Sequence, residues 1–260
     1  MSVEVKGDLW ETIRLWSMFL ILMHLDPVKY QRSISSFAQP AAYSVFINLD
    51  GSLTGLGVLI WQRPDQVDQW PVDLTGFCPP PADLLAMVGY TVDYQLGGDS
   101  SFQNSMEFIT IVLSLAILAS LGQRDITIVV QGDSTSALAW ASKRKFKTAR
   151  CRVAALVYMR ISMRCGVLVS GVTHQAGTLQ VYSDPLSRSE SPESVCAKGG
   201  FSRSAIRRIE ENASLMRLVQ MMDPSVEFDM GQDLQSCWAE IDTIVDVLTS
   251  LYGGWAVGRV

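Results

Sequence analysis

Clustered cysteines are missing from this 260-residue chain: Cys78, Cys151, Cys165, Cys196 and Cys237 lie far apart, with no Cys-x-x-Cys pair and no histidine at zinc-ligand spacing. That argues against a disulfide scaffold or a cysteine zinc site, and an odd number of free thiols fits a reducing intracellular compartment, cytoplasm or nucleus. An excess of positive charge is missing as well. The formal net charge is -5, so attraction for a polyanion has to come from a local patch. Long apolar runs are also absent. Leu15 to Met23 and Ile109 to Leu121 both fall short of a bilayer span, and no membrane association is expected. There is no internal repeat, and the only histidines are His24 and His174.

Apolar residues make up 48% of the chain, enough for a substantial core in one large or two small domains. Trp10, Ile13, Leu15, Trp16, Phe19 and Leu20 predict a packed helix from Asp8 to about Leu25, with His24 assigned to packing and Asp26-Pro27 as the stop. Tyr43 to Leu49 reads as a buried strand ending at Asp50-Gly51, and Val58 to Trp61 as its hairpin partner beyond the Gly55/Gly57 turn. Pro64 to Pro81 has the composition of a long loop. Leu84 to Tyr94 then gives a third strand, and Ser105 to Leu121 a helix closed by Gly122.

Ile126 to Val130 is a short, continuously apolar strand, of the kind covered on both faces. Ser134 opens another helix, Arg152 to Arg164 is a further one, Val167 to Val172 is a strand, and Tyr182 to Arg188 is a last helix. This order predicts an α/β fold, a mixed five-stranded sheet flanked by helices. Three segments follow: an N-terminal helical segment over 1–40, the α/β domain over 41–190, and a linker with a helical C-terminal extension over 191–260. The linker is placed from Arg188 to about Gly200, and the tail helices over Ile206 to Val219 and Leu234 to Leu251.

Four acids stand where such a topology brings residues together: Asp50 at a strand end, Glu107 near a helix start, Asp133 after a strand, and Asp184 at a helix start. Carboxylate oxygens are the natural ligands of Mg²⁺. Two such ions roughly 4 Å apart activate a water and neutralise the leaving oxygen in phosphodiester hydrolysis. Each acid also has a purely structural reading. Asp50 suits a turn before glycine, Glu107 suits the positive end of a helix dipole, Asp133 suits the cap of the helix at Ser134, and Asp184 suits a cap before Pro185.

The stretches around these acids resemble the ribonuclease H domain of retroviruses and retrotransposons. Ile47-Asn48-Leu49-Asp50-Gly51-Ser52 with Gly55 and Gly57 is similar to that family's first strand. Asn104-Ser105-Met106-Glu107-Phe108 resembles the helix carrying its Glu, and Val129 to Ala137 resembles its second Asp motif. The most specific stretch runs from His174-Gln175-Ala176-Gly177 to Asp184-Pro185-Leu186-Ser187-Arg188, with the family's spacing of ten from His to Asp. Gln180 and Ser183 stand where the family has Asn and Ala, Pro185 follows the last Asp, and the loop between Asp50 and Glu107 is long. The resemblance covers roughly Tyr43 to Arg188, and the segment before it looks like the connection region that follows a reverse transcriptase.

The resemblance implies a ribonuclease H-like fold, a site holding two Mg²⁺ or Mn²⁺ ions on Asp50, Glu107, Asp133 and Asp184, and His174 as an auxiliary residue on a mobile loop. It implies hydrolysis of the RNA strand of an RNA:DNA hybrid, in or derived from a retroelement polyprotein, with a reverse transcriptase domain as possible partner. No Tyr-x-Asp-Asp motif is present, so the chain by itself is not read as a polymerase.

Between Asp133 and Asp184 there is no acid, while Lys143, Arg144, Lys145, Lys147, Arg150, Arg152, Arg160 and Arg164 all fall there. Such a stretch is either a solvated helix face or a surface for hybrid phosphates. Lys143, Arg144, Lys145 and Lys147 are the favoured contacts, together with Ser52 and Arg188. Two rivals remain. One is an inactive, domesticated scaffold of the same fold, binding nucleic acid or protein. The other is an integrase or transposase, against which the placement of Glu107 between Asp50 and Asp133 argues.

Overall fold

The computed structural model describes residues 44–62, 84–94, 99–144, 149–201, 212–226 and 234–250, with scattered helical positions between 13 and 24. Five strands form one sheet: β1 (Ser44–Gly51), β2 (Gly55–Gln62), β3 (Leu84–Thr91), β4 (Thr127–Gly132) and β5 (Leu168–His174), in the order β3-β2-β1-β4-β5. β1 pairs antiparallel with β2 and parallel with β4; β2 and β3 are antiparallel, β4 and β5 parallel. Described helices are α1 (Ser100–Ser120), α2 (Thr135–Lys143), α3 (Arg152–Cys165), α4 (Ser183–Ser187), α5 (Pro192–Gly199), α6 (Ala213–Met221) and α7 (Leu234–Ser250). This is the mixed five-stranded sheet flanked by helices expected from the sequence.

α1 is the centre of the larger core. It carries no charged side chain between Glu107 and Ser120, so it is apolar nearly all round, and such a helix is stable in water only when covered. The sheet lies on one side of it, and α3, α6 and α7 pack on the others. Asp99 caps its start, accepting from the Phe102 amide at 2.6 Å, so the helix begins five residues earlier than predicted. At 21 residues it is long and apolar enough to cross a membrane, yet 89% of its most apolar window is buried inside the protein.

The opposite face of the sheet is smaller. Leu59, Trp61, Leu84 and Met87 pack there against Leu186 of α4, Val195 and Cys196 of α5, and Phe201. The stretch expected as a linker up to Gly200 therefore carries a helix. Ser191 caps it, Pro192 occupies its first turn, and Gly200 closes it in the left-handed conformation. Its Ser/Pro/Glu composition resembled a linker because a short helix needs only one apolar stripe.

The helical tail is not a separate appendage. Leu215, Leu218, Trp238, Ile241, Val245 and Leu248 belong to the same core as α1. The first tail helix is shorter than predicted, 213–221, while residues 202–211 lie outside the described ones. Arg160 of α3 is wholly buried under α7, where it is ion-paired with Asp242 and lies 3.5 Å from Asp246. The N-terminal expectation changes too. Ile13, Trp16, Leu20, Ile21 and Met23 are exposed, as is His24, which was expected to pack, while Trp10, Leu15 and Phe19 lie outside the described residues. Amphipathic spacing makes a sticky face and does not supply the surface that would cover it.

Candidate functional site

The parallel pairing of β1 with β4 aligns two of the acids. Asn48 stands opposite Gln131, so Asp50 and Asp133, each two residues further along, emerge side by side at the carboxyl ends of adjacent strands. Carboxyl ends of parallel strands are where open α/β sheets place their ligand sites. The helix cap beside them is Ser134, whose Oγ accepts from the Ala137 amide at 3.1 Å, so Asp133 is not occupied as a cap.

Glu107 arrives from above, on α1. A side chain at Gly51 would put its Cβ 2.7 Å from the Glu107 backbone nitrogen, so glycine there lets the helix lie directly on the end of β1. The Gly51 amide donates to Glu107 Oε1 at 3.0 Å. Glu107 Oε2 is buried and meets no donor. One oxygen from each of Asp50, Glu107 and Asp133 lies within 4.8 Å of the others. Burial foremost, then the charges of Asp50 and Asp133, push the Glu107 carboxyl well above its usual range. Asp50 is also raised, chiefly by burial, against the lowering effect of a Ser187 hydroxyl that donates to its Oδ2.

Three converging carboxylates, one with an orphaned oxygen, form a donor set suited to a hard divalent cation. The fourth predicted acid does not join them. Asp184 sits in the first turn of α4, and its Oδ1 accepts from Arg188 Nε and Nη2, each at 2.8 Å. It is still near enough for its charge to raise Asp50. α4 reaches this position because Gly55 and Gly57 leave room for its backbone: a Cβ on either would collide with the Ser187 or Ser183 carbonyl.

His174 ends β5, opposite Gly132, and is exposed. It belongs to a strand end rather than to the loop predicted for it, because the β4–β5 ladder continues through Gly132, and it lies outside the three-acid cluster. Ser52 is buried, with its hydroxyl donating to the Ser187 carbonyl at 2.6 Å, and so it ties the β1–β2 turn to α4. Lys143 and Arg144 are exposed at the end of α2. Lys145 and Lys147 lie outside the described residues, as do the Pro64 to Pro81 loop and Cys78.

The wider basic stretch divides. Arg150 pairs with Asp99 at 3.0 Å, Arg164 with Asp246 at 3.3 Å, and Arg160 is interior, so these three do not build the open cationic surface inferred from the run. Linear charge counts miss acids brought from α1 and α7 by folding.

Beneath the acids lies a polar layer that the sequence reading left unassigned. Asn48 Nδ2 donates to Gln175 Oε1 at 2.7 Å, Ser183 Oγ to Asn48 Oδ1 at 2.7 Å, and Gln175 Nε2 to the Leu179 carbonyl at 3.0 Å. The signal was present in the strands. Asn48 and Gln131 each stand two residues before an Asp in an otherwise apolar run, and so on the same face as it. Ser183 and Gln180, the departures from the family pattern, are both part of this layer.

The sequence matches no protein-family model and no curated protein. Among solved structures, it is similar to RNase H1 from the halophilic archaeon Halobacterium salinarum NRC-1, at 15% identity and a TM-score of 0.39, over 55% of this chain and 93% of that one. So distant a likeness says nothing of chemistry.

Proposed function

We propose that the chain is a metal-dependent endonuclease that hydrolyses the RNA strand of RNA:DNA hybrids. One observation carries the reading: Asp50, Glu107 and Asp133 converge at the sheet's carboxyl edge with Glu107 Oε2 buried and undonated, a concentration of negative charge that asks for a cation. Mg²⁺ or Mn²⁺ bound there would supply the charge that activates water and stabilises the leaving oxygen.

The protein's own groups divide the remaining work. Asp50, Glu107 and Asp133 would hold a first ion, and Asp184 would contribute to a second only if Arg188 gave it up. His174, exposed at the neighbouring strand end, is the residue proposed to assist proton transfer or product release. Lys143 and Arg144, with Lys145 and Lys147 next in sequence, are the contacts proposed for the hybrid's phosphates. The motifs of the sequence support a retroelement origin and a reverse transcriptase domain as partner. An intracellular setting, cytoplasm or nucleus, belongs to the same proposal.

The alternative is a non-catalytic scaffold of the same fold. The Asp184–Arg188 pair favours it, because a ligand held by a neighbouring guanidinium is not offered to a metal.

The test is cleavage of a labelled RNA strand, alone and annealed to DNA, with Mg²⁺ or Mn²⁺, by the native chain and by Asp133→Asn. Hybrid-dependent cutting that the substitution abolishes supports the nuclease. Hybrid binding without cutting in either metal supports the scaffold.

A further inference from the structure

Gln180 is a glutamine with 1% of its surface exposed, in the turn between β5 and α4, at the level of the carboxylates. Oriented so that each end of its amide meets a complementary group, its nitrogen donates to Asp50 Oδ1 at 3.2 Å and its oxygen accepts from the Asp133 backbone amide at 2.9 Å. The same nitrogen lies 3.2 Å from the Leu49 carbonyl and from Ser183 Oγ. One planar amide thus spans the two strands that carry the paired acids.

We propose that Gln180 is a positioning residue that sets the separation and orientation of Asp50 and Asp133, and so determines the divalent-metal affinity of the site. The inference rests on the metal-site reading above. Its physical basis is a conflict of forces. Asp50, Glu107 and Asp133 repel one another, and without a restraint β1 and β4 would relieve the repulsion by turning the carboxylates apart. Gln180 opposes this from both sides. It donates to the Asp50 carboxylate and holds the Asp133 backbone, so the Asp133 side chain leaves the strand end at a defined place.

Ser187 restrains the other Asp50 oxygen, Oδ2, from α4. The Asp50 carboxylate is therefore gripped on both oxygens, while Glu107 Oε2 has no donor. Gln180 is itself fixed, because Ser183 beside its nitrogen is hydrogen-bonded to Asn48, which is hydrogen-bonded to Gln175. Hydrogen-bond partners of this kind tune a metal site as strongly as some ligands do.

The test uses the full chain and Mn²⁺ binding, measured by the paramagnetic signal of the free ion and by calorimetry at fixed pH. Gln180→Met keeps the length and removes both polar ends. The expected result is Mn²⁺ affinity about 10- to 100-fold weaker, the range seen when such partners of metal ligands are lost, with the unfolding midpoint of the metal-free protein little changed. Unaltered Mn²⁺ affinity in Gln180→Met overturns the positioning role. Native protein that binds no Mn²⁺ overturns the metal site itself, a separate outcome from the first.

A readout on the native chain covers a variant that fails to fold. The Gln180 side-chain amide and the Asp133 backbone amide should shift together in a ¹⁵N-labelled spectrum as Mg²⁺ is added, following one binding curve. Shifts elsewhere at the site with both amides unmoved would overturn the proposal.

Discussion

Among the described residues, buried charge occurs at two places, and the two are resolved in opposite ways. Between α3 and α7, the Arg160 guanidinium is wholly enclosed, but Asp242 and Asp246 have been brought to it, and with Arg164 on Asp246 the two cations balance the two acids. At the edge of the sheet, Asp50, Glu107 and Asp133 are brought to one another, and Arg188, whose charge reaches Asp50 and Asp133, is itself paired with Asp184. The first arrangement completes itself and holds the tail helix to the core. The second gathers charges of one sign, and that asymmetry separates a structural ion pair from a candidate site.

The largest expected effect falls on the second region. Asp133→Asn should lower hybrid cleavage by about a thousandfold, on the order of 4 kcal/mol of transition-state stabilisation, while leaving the metal-free fold at least as stable, because it removes a repelling charge. Single-turnover cleavage together with urea unfolding would check both halves. Cleavage near the native rate would remove Asp133 from the mechanism.

Next is the structural pair. Arg160→Met should cost roughly 3 kcal/mol through the uncompensated acids it leaves, somewhat less than a fully buried pair because Asp246 is partly solvated. Denaturant midpoints would show it. An unchanged midpoint would mean that α7 is held by its apolar face alone.

Saturating Mg²⁺ should stabilise the native chain by about 2.7 kcal/mol at a hundred times its dissociation constant, and should do little for Glu107→Gln. A smaller effect concerns pH. The folded Glu107 and Asp50 carboxyls lie above their ordinary values, so the folded state binds more protons than the unfolded one. Their contribution to stability is full below the ordinary carboxyl range and is lost as pH rises through the raised folded values. Metal-free protein should therefore lose stability from mildly acidic pH upward, and Glu107→Gln should flatten that slope. A metal-free stability curve that rises over this window would contradict the stated charge balance.

The smallest effect is that of Arg188→Ala. Its partner Asp184 lies on the same helix face and both are solvated, so thermal stability should change by well under about 1 kcal/mol. Freeing Asp184 should nonetheless raise the affinity for a second Mn²⁺ by a few-fold. Calorimetric stoichiometry would sharpen the contrast between a carboxylate used for structure and one available to a ligand.

Much of this was legible in the chain. Strand ends at Asp50 and near Asp133, the helix carrying Glu107, and the glycines at 51, 55 and 57 are local features, determined by side-chain periodicity and backbone sterics. The five-stranded mixed sheet followed from their order. Hidden from the sequence was what depends on distant partners, Ser52 turning inward and Arg150, Arg160 and Arg164 meeting acids; the Asp184–Arg188 pair, four residues apart, and α5, capped by Ser191 and Gly200, are by contrast local. Most of all, the convergence of three carboxylates and the amide of Gln180 between two of them belong to the tertiary structure. Charge and hydrogen bonding act through space, and a linear pattern states only which groups are present, whereas the parallel register of β1 and β4 decides which of them meet.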